Sequence, residues 1–189
     1  GLSEGNPILV PKTFKEPEKP VPAPVERTGR PYTFKERKLT ASELEYWQQY
    51  GITPEILEQY KVCSVVQFQS ENADGNPFSY SSTKEEPIYG YKNKRFIKLY
   101  RPFSKTRFLY GGNIGESYCF GLEQLPSKGD TLFITGGEKD VMSLAAHGFH
   151  AICFNSETVT VPPNIIYKLT FRFKHIILLY DMDATGVES

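Results

Sequence analysis

The segment TLFITGGEKDVMSLAAHGFHAICF, residues 131–154, decides the fold class because a helical pattern lies between two short apolar runs. The runs at 131–135 and 149–154 have the length and composition of buried strands. The residues between them have helical spacing and end at Gly148, a usual helix stop. A strand, a helix and a strand in this order predict a parallel sheet with a crossover helix.

The same alternation continues downstream of this segment. PPNIIYKLTFRF, residues 162–173, predicts a second helix behind two prolines, and HIILLYD, residues 175–181, predicts a third strand. The third strand is almost uninterruptedly apolar, which is typical of a strand with both faces covered. The next helix of the pattern would run through the last residues of the sequence, so we expect the chain to be a fragment.

Residues 40–129 predict a small subdomain that combines two helices with an antiparallel sheet. The helical patterns lie at 40–51, where Thr40 or Ser42 can cap the first turn, and at 53–62. Short runs rich in Tyr, Phe, Ile and Val follow, separated by polar turn signals. The predicted strands are VVQF (65–68), PIYGY (87–91), RFIKLYRP (95–102) and RFLYGG (107–112).

Residues 1–39 predict an extended, proline-rich linker or tail. Seven of the fourteen prolines stand between residues 1 and 31, and proline disfavours helix interiors and central strands. We expect folded structure to begin near Thr40. The predicted domains are therefore the tail at 1–39, the mixed subdomain at 40–129 and a truncated parallel α/β unit at 130–189. The fold class is α+β and α/β.

The composition indicates a globular chain with no whole-chain electrostatic preference. The 189 residues are 39% hydrophobic, and 22 basic residues balance 22 acidic ones. No run of eighteen apolar residues occurs, so we expect no membrane partner. The three cysteines, Cys63, Cys119 and Cys153, are too far apart for a local zinc knuckle, and their odd number disfavours a disulfide framework. A reducing, cytoplasmic compartment is expected.

The first candidate site is TGGEKD, residues 135–140, at the junction of a predicted strand and helix. Open α/β sheets bind ligands at the carboxyl ends of their strands. The two glycines let a ligand approach the backbone, and a helix N-terminus favours anions. The alternative is a tight turn in which Glu138 and Asp140 only complement the helix dipole.

The second candidate is DMDATG, residues 181–186, directly after the third predicted strand. Asp181 and Asp183 would point out of the sheet together, and such oxygen ligands suit Mg²⁺ bound through carboxylates and phosphates. The alternative is an Asp-rich turn with Asp183 capping the next helix.

The third candidate is the stretch 92–107, which contains seven basic residues and no acid. Aromatic residues interleave with the basic ones. Basic side chains bind phosphates and exposed aromatic faces stack on unpaired bases, so the stretch indicates nucleic-acid or nucleotide contact. The alternative is a hairpin with one solvated basic face and one aromatic core face.

Together these segments resemble the Toprim-containing primases, especially phage-type primase–helicases and their mitochondrial helicase relatives. The resemblance covers roughly residues 40–189 and keeps the order of the family's pieces. The segments that carry it are YWQQYGITPEILEQYKV, IKLYRPFSKTRFLYGG, CFGLEQLP, LFITGGEKDVMSLAAHGFHAICFNSET and IILLYDMDATG.

The resemblance implies a small mixed primase subdomain beside a parallel Toprim core, and synthesis of short RNA primers on single-stranded DNA from ribonucleoside triphosphates. It implies Mg²⁺ or Mn²⁺ held by Asp181 and Asp183, with a replicative helicase, fused or separate, as partner. The setting would be replication in a bacterium, a phage or a mobile element. The residues expected to hold template or nucleotide phosphates are Lys94, Arg95, Lys98, Arg101, Lys105, Arg107 and Lys139.

One departure from the family pattern affects the expected catalysis. The first Toprim motif reads EGxxD, but Gly136 stands in this chain where the family has glutamate. Glu138, two positions on, is the candidate substitute as catalytic and metal-binding acid. The mitochondrial relatives also lack part of the acidic set and do not prime. The alternative function is a catalytically degenerate module that binds single-stranded DNA for an attached helicase.

A remote alternative comes from different chemistry. LLYDMDATGVES also resembles the first motif of haloacid-dehalogenase-type phosphatases, in which the first Asp is the nucleophile and the second an acid. That motif usually opens its domain, whereas here it follows the strand–helix pattern.

Overall fold

The computed structural model describes residues 29–115, 118–155 and 162–180. These residues form two β-sheets and four α-helices. The helices are α1 (Ala41–Gln48), α2 (Pro54–Gln59), α3 (Glu138–Ala146) and α4 (Pro163–Thr170). The strands are β1 (Tyr32–Arg37), β2 (Val62–Glu71), β3 (Pro77–Ser81), β4 (Tyr89–Lys92), β5 (Phe96–Tyr100), β6 (Phe108–Gly112), β7 (Cys119–Phe120), β8 (Gly129–Thr135), β9 (His150–Phe154) and β10 (Phe173–Leu179).

The first sheet is antiparallel, as the turn signals of residues 65–112 predict. Its strand order is β1-β2-β4-β5-β6, and β3 pairs with β2 outside this path. Because side chains alternate along a strand, β5 presents Ile97 and Leu99 to one face and Phe96, Lys98 and Tyr100 to the other. Both sets are buried, so this central strand is covered on both faces.

The first sheet begins earlier in the chain than the proline content predicts. The expected start of folded structure near Thr40 is wrong, because β1 pairs antiparallel with β2 from Tyr32 onward. Pro31 precedes this strand and does not interrupt it. Tyr32 and Phe34 pack against the buried core of the sheet, and this burial holds the strand in place.

The second sheet contains the predicted parallel strands. Its order is β10-β8-β9-β7, in which β8 is parallel to both neighbours and β7 is antiparallel to β9. The short β7 comes from the predicted mixed subdomain yet joins this sheet; the domain division at residue 130 stays a prediction. Helix α3 packs with Ala151 and Cys153, and α4 with Ile152 and Phe154. Neighbouring residues of a strand point to opposite faces, so the two helices cover opposite sides.

Two details of the second sheet differ from the sequence prediction. Helix α4 ends at Thr170, before the predicted end at residue 173, because Phe173 already pairs with Gly129 as the start of β10. The apolar β10 was expected to be covered on both faces. Instead Ile177, Leu178 and Leu179 are 43%, 59% and 49% exposed at this outer strand of the described sheet.

The two sheets share one hydrophobic core through helices α1, α2 and α3. Of the two caps predicted for α1, Thr40 is the N-cap, and it forms a capping box with Glu43 as its reciprocal partner. Trp47 of α1 is fully buried and contacts the Tyr89 ring of the first sheet. The same cluster contains Met142 of α3, so the first sheet packs against the α3 side of the second. None of the helices in the described segments combines the length and apolarity needed to cross a membrane.

Candidate active site at the sheet edge

The candidate site lies at the carboxyl edge of β8 and β9. After β8 ends at Thr135, the chain turns through Gly136 and Gly137 and enters α3 at Glu138. The TGGEKD segment therefore occupies a strand–helix junction, as predicted. Asn155 follows β9 at the same edge, since β8 and β9 are parallel neighbours. This is the edge at which open α/β sheets bind ligands.

Glu138 is buried at this edge and forms an ion pair with Lys98 of the first sheet. The Lys98 ammonium donates to Oε1 of Glu138 at 2.6 Å, and each side chain is 3% exposed. The Tyr118 hydroxyl donates to the same oxygen at 2.7 Å. The pair thus connects the start of α3 to the middle of β5 without access to bulk water.

Aromatic rings surround the Lys98 ammonium on its other sides. Its Nζ lies 4.6 Å from the centre of the Phe108 ring, 5.5 Å from that of Tyr118 and 5.9 Å from that of Tyr110. Ring faces attract cations, and the attraction strengthens where water is excluded. The ammonium is therefore stabilised by one carboxylate and by three rings.

These contacts limit the roles predicted for Lys98 and Glu138. Lys98, predicted to contact nucleic acid, is buried and directed at Glu138, so in this conformation it presents no free charge to a ligand. Glu138, predicted as a catalytic and metal-binding acid, already has an ammonium as its cation. Its predicted role stays a prediction, and a metal ion there would have to share or displace Lys98.

Tyr118 is a site residue that the sequence analysis missed. It is twenty positions from Glu138 in the chain, and no local pattern distinguishes its hydroxyl from that of any other tyrosine. Burial, followed by the nearby Glu138 carboxylate, raises the pKa of Tyr118 well above its ordinary value. The phenol therefore remains a hydrogen-bond donor throughout the physiological pH range.

Asn155 provides an unsatisfied polar atom at the same edge. Its backbone oxygen accepts from the Lys98 ammonium at 3.5 Å. Its side-chain Oδ1 is buried and accepts no hydrogen bond among the described residues. Buried acceptors are nearly always paired in folded proteins, so this atom is available to a ligand or a water molecule.

Two further members of the predicted phosphate-binding set are engaged with the protein itself. The Arg101 guanidinium lies 4.3 Å from the Tyr80 ring centre and 3.8 Å from a carboxylate oxygen of Glu86. The Lys139 ammonium lies 3.9 Å from the Tyr50 ring centre. Neither side chain extends freely into solvent.

The remaining predicted basic residues form two separate exposed pairs. Lys94 and Arg95 lie in the turn between β4 and β5, whereas Lys105 and Arg107 lie in the connection between β5 and β6. Strand β5 has five residues, and at about 3.4 Å per residue it separates the two pairs by about 17 Å. The basic stretch is therefore not one continuous patch.

The interleaved aromatic residues divide between core and surface. Tyr91, Phe96 and Tyr100 are buried, as the core-face alternative predicts. Phe108 and Tyr110 on β6 are each 38% exposed while also contacting the Lys98 ammonium. These two rings, directly after Arg107, form an aromatic surface beside the site.

The described residues do not by themselves make a metal site. No three His, Cys, Asp or Glu side chains within residues 29–115, 118–155 and 162–180 come together as ligands. Asp181 and Asp183, the predicted metal ligands, lie outside the described residues. Asp140, the last residue of the TGGEKD segment, is exposed on the first turn of α3.

Comparison with known proteins finds similar structures but no similar sequence. No protein-family model matches the chain, and no curated protein matches it. The primase fragment of the bacteriophage T7 primase-helicase protein is similar, with a TM-score of 0.53 and 16% sequence identity over 75% of this chain and 56% of that one. Bacteriophage T7 lagging-strand DNA polymerase with primase domains bound to an RNA/DNA hybrid and dTTP also matches, with a TM-score of 0.47 and 17% identity over 82% and 71% of the two chains.

The likeness to the T7 primase fragment establishes the fold. Two sheets and four helices in a mixed α+β arrangement match that fragment, so the fold prediction is confirmed. The resemblance to a phage-type primase core is likewise confirmed at the level of fold. The chain spans little more than half the length of the T7 fragment that it matches.

Proposed function

We propose that the chain is the core of a phage-type primase or primase–helicase that binds single-stranded DNA and makes short RNA primers. The observation that carries the proposal is the shared fold with the T7 primase fragment. The position of the TGGEKD turn, at the ligand-binding edge of the parallel strands, supports it. The unpaired Oδ1 of Asn155 at this edge provides an acceptor for an incoming group.

The template would lie along β6, next to the buried ion pair. Phe108 and Tyr110 are each 38% exposed, and the ring surface that they leave uncovered would let unpaired bases stack there. Lys105 and Arg107 are exposed in the connection that leads into this strand and would contact backbone phosphates. This arrangement assigns template contact to one of the two exposed basic pairs, together with the aromatic surface of β6.

The nucleotide-transfer chemistry would depend on Asp181 and Asp183. Mg²⁺ or Mn²⁺ bound by these carboxylates would supply the positive charge that triphosphates require. Ribonucleoside triphosphates are the proposed substrates, and a replicative helicase is the proposed partner. The described side chains would contribute template binding and the fixed position of the α3 N-terminus.

A second candidate function is supported by the Lys98–Glu138 pair. Gly136 stands where the resembled family has an acid, and the nearest candidate substitute is held by an ammonium at 2.6 Å and a phenol at 2.7 Å. A carboxylate fixed in this way stabilises the junction of the two sheets. The chain would then be a non-catalytic module that binds single-stranded DNA for an attached helicase.

Extension of a preformed primer distinguishes the two functions. The protein at its full natural length would be incubated with Mg²⁺ or Mn²⁺, labelled ribonucleotides and single-stranded DNA annealed to a short RNA, so that initiation is not required. The primase proposal expects extended products that disappear in the Asp181→Asn/Asp183→Asn variant. Salt-dependent DNA binding without any extension would refute catalysis and support the binding module.

A further inference from the structure

A basic cleft of about 310 Å³ lies on the β7 side of the second sheet, away from the TGGEKD turn. It is enclosed by the end of α2, the β4–β5 turn and residues 118–124. Tyr118 separates it from the candidate active site, because its ring contacts Phe96 while its hydroxyl binds Glu138. Its volume is at the lower end of the range of small-ligand sites.

The charge of this cleft is positive although the chain as a whole is neutral. Lys61, Lys92 and Arg95 contribute to its lining, and Glu123 is its one lining acid. Lys61 pairs with Glu123 at 2.6 Å in a largely exposed bridge. Arg95 is exposed and forms no ion pair with any described residue. A cationic group is therefore available to an anion at the cleft.

The same basic residues also act on the Glu123 carboxyl of the cleft. The hydrogen bond from Lys61, and the charges of Lys61 and Lys94, lower the pKa of the Glu123 carboxyl. Lys92 is bound by Glu36 at 2.8 Å, and that carboxylate lies on β1, outside the residues that line the cleft. Within the cleft the cations outnumber the acids.

Lys61 occupies a backbone conformation that usually belongs to glycine. Its φ is +57°, and it is the one non-glycine residue with positive φ in the described part of the chain. It follows Tyr60, the C-cap residue of α2, at a position where glycine is common because glycine has no Cβ. A lysine there is unfavourable for the backbone, yet it places an ammonium at the cleft.

The walls of the cleft suit the remainder of a nucleotide. Phe120 provides a partly exposed ring, with the buried Tyr60 and Tyr91 packed against it, and the Asn93 side chain provides an amide. The Asn93 Oδ1 accepts from the Arg95 backbone N–H at 3.3 Å, which orients the amide of Asn93. Aromatic walls with a basic rim match a planar base linked to a phosphate.

We propose that this cleft binds the phosphate of a nucleotide, with Lys61 and Arg95 as its cationic contacts. The nucleotide is either free or one unit of a single strand; both present the same phosphate chemistry. The proposal concerns a second site and does not depend on primer synthesis or on Asp181 and Asp183. It also gives Arg95 a role separate from the template surface on β6.

The test measures binding of ATP and of oligo(dT) to the full chain in the absence of divalent metal. Lys61→Gly is the central variant, since it removes the ammonium and relieves the unfavourable φ, so weaker binding cannot be attributed to unfolding. Loss of one charged contact is expected to weaken binding about tenfold while thermal stability is unchanged or higher. Arg95→Gln is expected to have a similar effect on binding.

Two further variants test whether binding depends on the charge of the cleft and whether it depends on this cleft in particular. Glu123→Gln removes the acid of the cleft and is expected to tighten binding about twofold to fivefold. Lys174→Gln is the matched control, because Lys174 lies on β10, the opposite outer strand of the second sheet, where it forms an exposed pair with Asp130. It changes the net charge of the chain as Lys61→Gly does and is expected to leave binding unchanged.

The two ligands distinguish the sources of the phosphate. Sensitivity of ATP binding alone to Lys61→Gly identifies a free-nucleotide site, and sensitivity of oligo(dT) binding alone identifies a strand-backbone site. Sensitivity of both supports a site that accepts either. The proposal is overturned if neither ligand is affected, or if Lys174→Gln weakens binding as much as Lys61→Gly. If the protein does not extend primers but its ligand binding is weakened by Lys61→Gly and not by Lys174→Gln, only the catalytic proposal is refuted.

Discussion

Replacing Lys98 by methionine tests whether the buried ion pair holds the two sheets together. The variant would leave the Glu138 carboxylate 3% exposed, and the Tyr118 hydroxyl would remain as its donor among the described side chains. Breaking a buried pair by removing one partner costs about 3–5 kcal/mol, because a charge is left without compensation. Since a domain has about 5–15 kcal/mol of total stability, Lys98→Met should remove a large part of it.

The double variant Lys98→Met/Glu138→Gln shows whether that loss comes from the unpaired charge. Glutamine is neutral and still offers an oxygen to the Tyr118 hydroxyl, so the double variant should be more stable than Lys98→Met alone by about 2 kcal/mol or more. Urea unfolding followed by fluorescence reports the free energy of unfolding, because Trp47 is the single tryptophan and is fully buried.

An exposed ion pair provides the matched control for this experiment. Lys174 and Asp130 pair at 3.0 Å with side chains 76% and 66% exposed. Lys174→Met should therefore change the free energy of unfolding by about 0.5 kcal/mol or less. The reasoning is refuted if Lys98→Met costs less than about 1 kcal/mol, or if the double variant is no more stable than Lys98→Met alone.

Three other predictions concern DNA binding, thiol reactivity and alkaline pH. Phe108→Ala should weaken oligo(dT) binding about tenfold through loss of base stacking, and Arg107→Gln should reduce the slope of log affinity against log salt concentration by about one unit. Binding titrations at several salt concentrations measure both effects. Unchanged affinity and slope would contradict template binding along β6. Desolvation raises the pKa of the Cys63 and Cys119 thiols to about 12, so both should react slowly with an aromatic disulfide reagent at pH 8 and rapidly in denaturant. Fast reaction of the native protein would contradict the raised pKa values. The folded-state pKa values of these thiols and of Tyr118 are raised, so their contribution to stability is complete below the unfolded-state pKa values and is lost as pH rises above them. The urea concentration at the midpoint of unfolding should therefore fall from about pH 9 upward. A midpoint that stays constant to pH 11 would contradict the raised pKa values.

Most of the helices and strands were predictable from local sequence signals, although β1, β3 and β7 were not. The period of the apolar residues identified β8, α3 and β9, and the turn signals identified most of the antiparallel strands. The capping box at Thr40 and the glycine stop at Gly148, whose φ is +82°, depend only on residues a few positions apart. Local conformation and the parallel arrangement therefore followed from the sequence alone.

The state of the candidate site depended on contacts between distant parts of the chain. Lys98 appears in the sequence as one of seven bases in a solvated stretch, and Glu138 as an acid at a helix start. They are forty residues apart and meet because the first sheet packs against the α3 side of the second. Strand β1 was missed for the same reason, since its pairing with β2 spans the intervening helices. Sequence periodicity fixes which face of an element is apolar, but only the packing of two sheets decides which buried charges become partners.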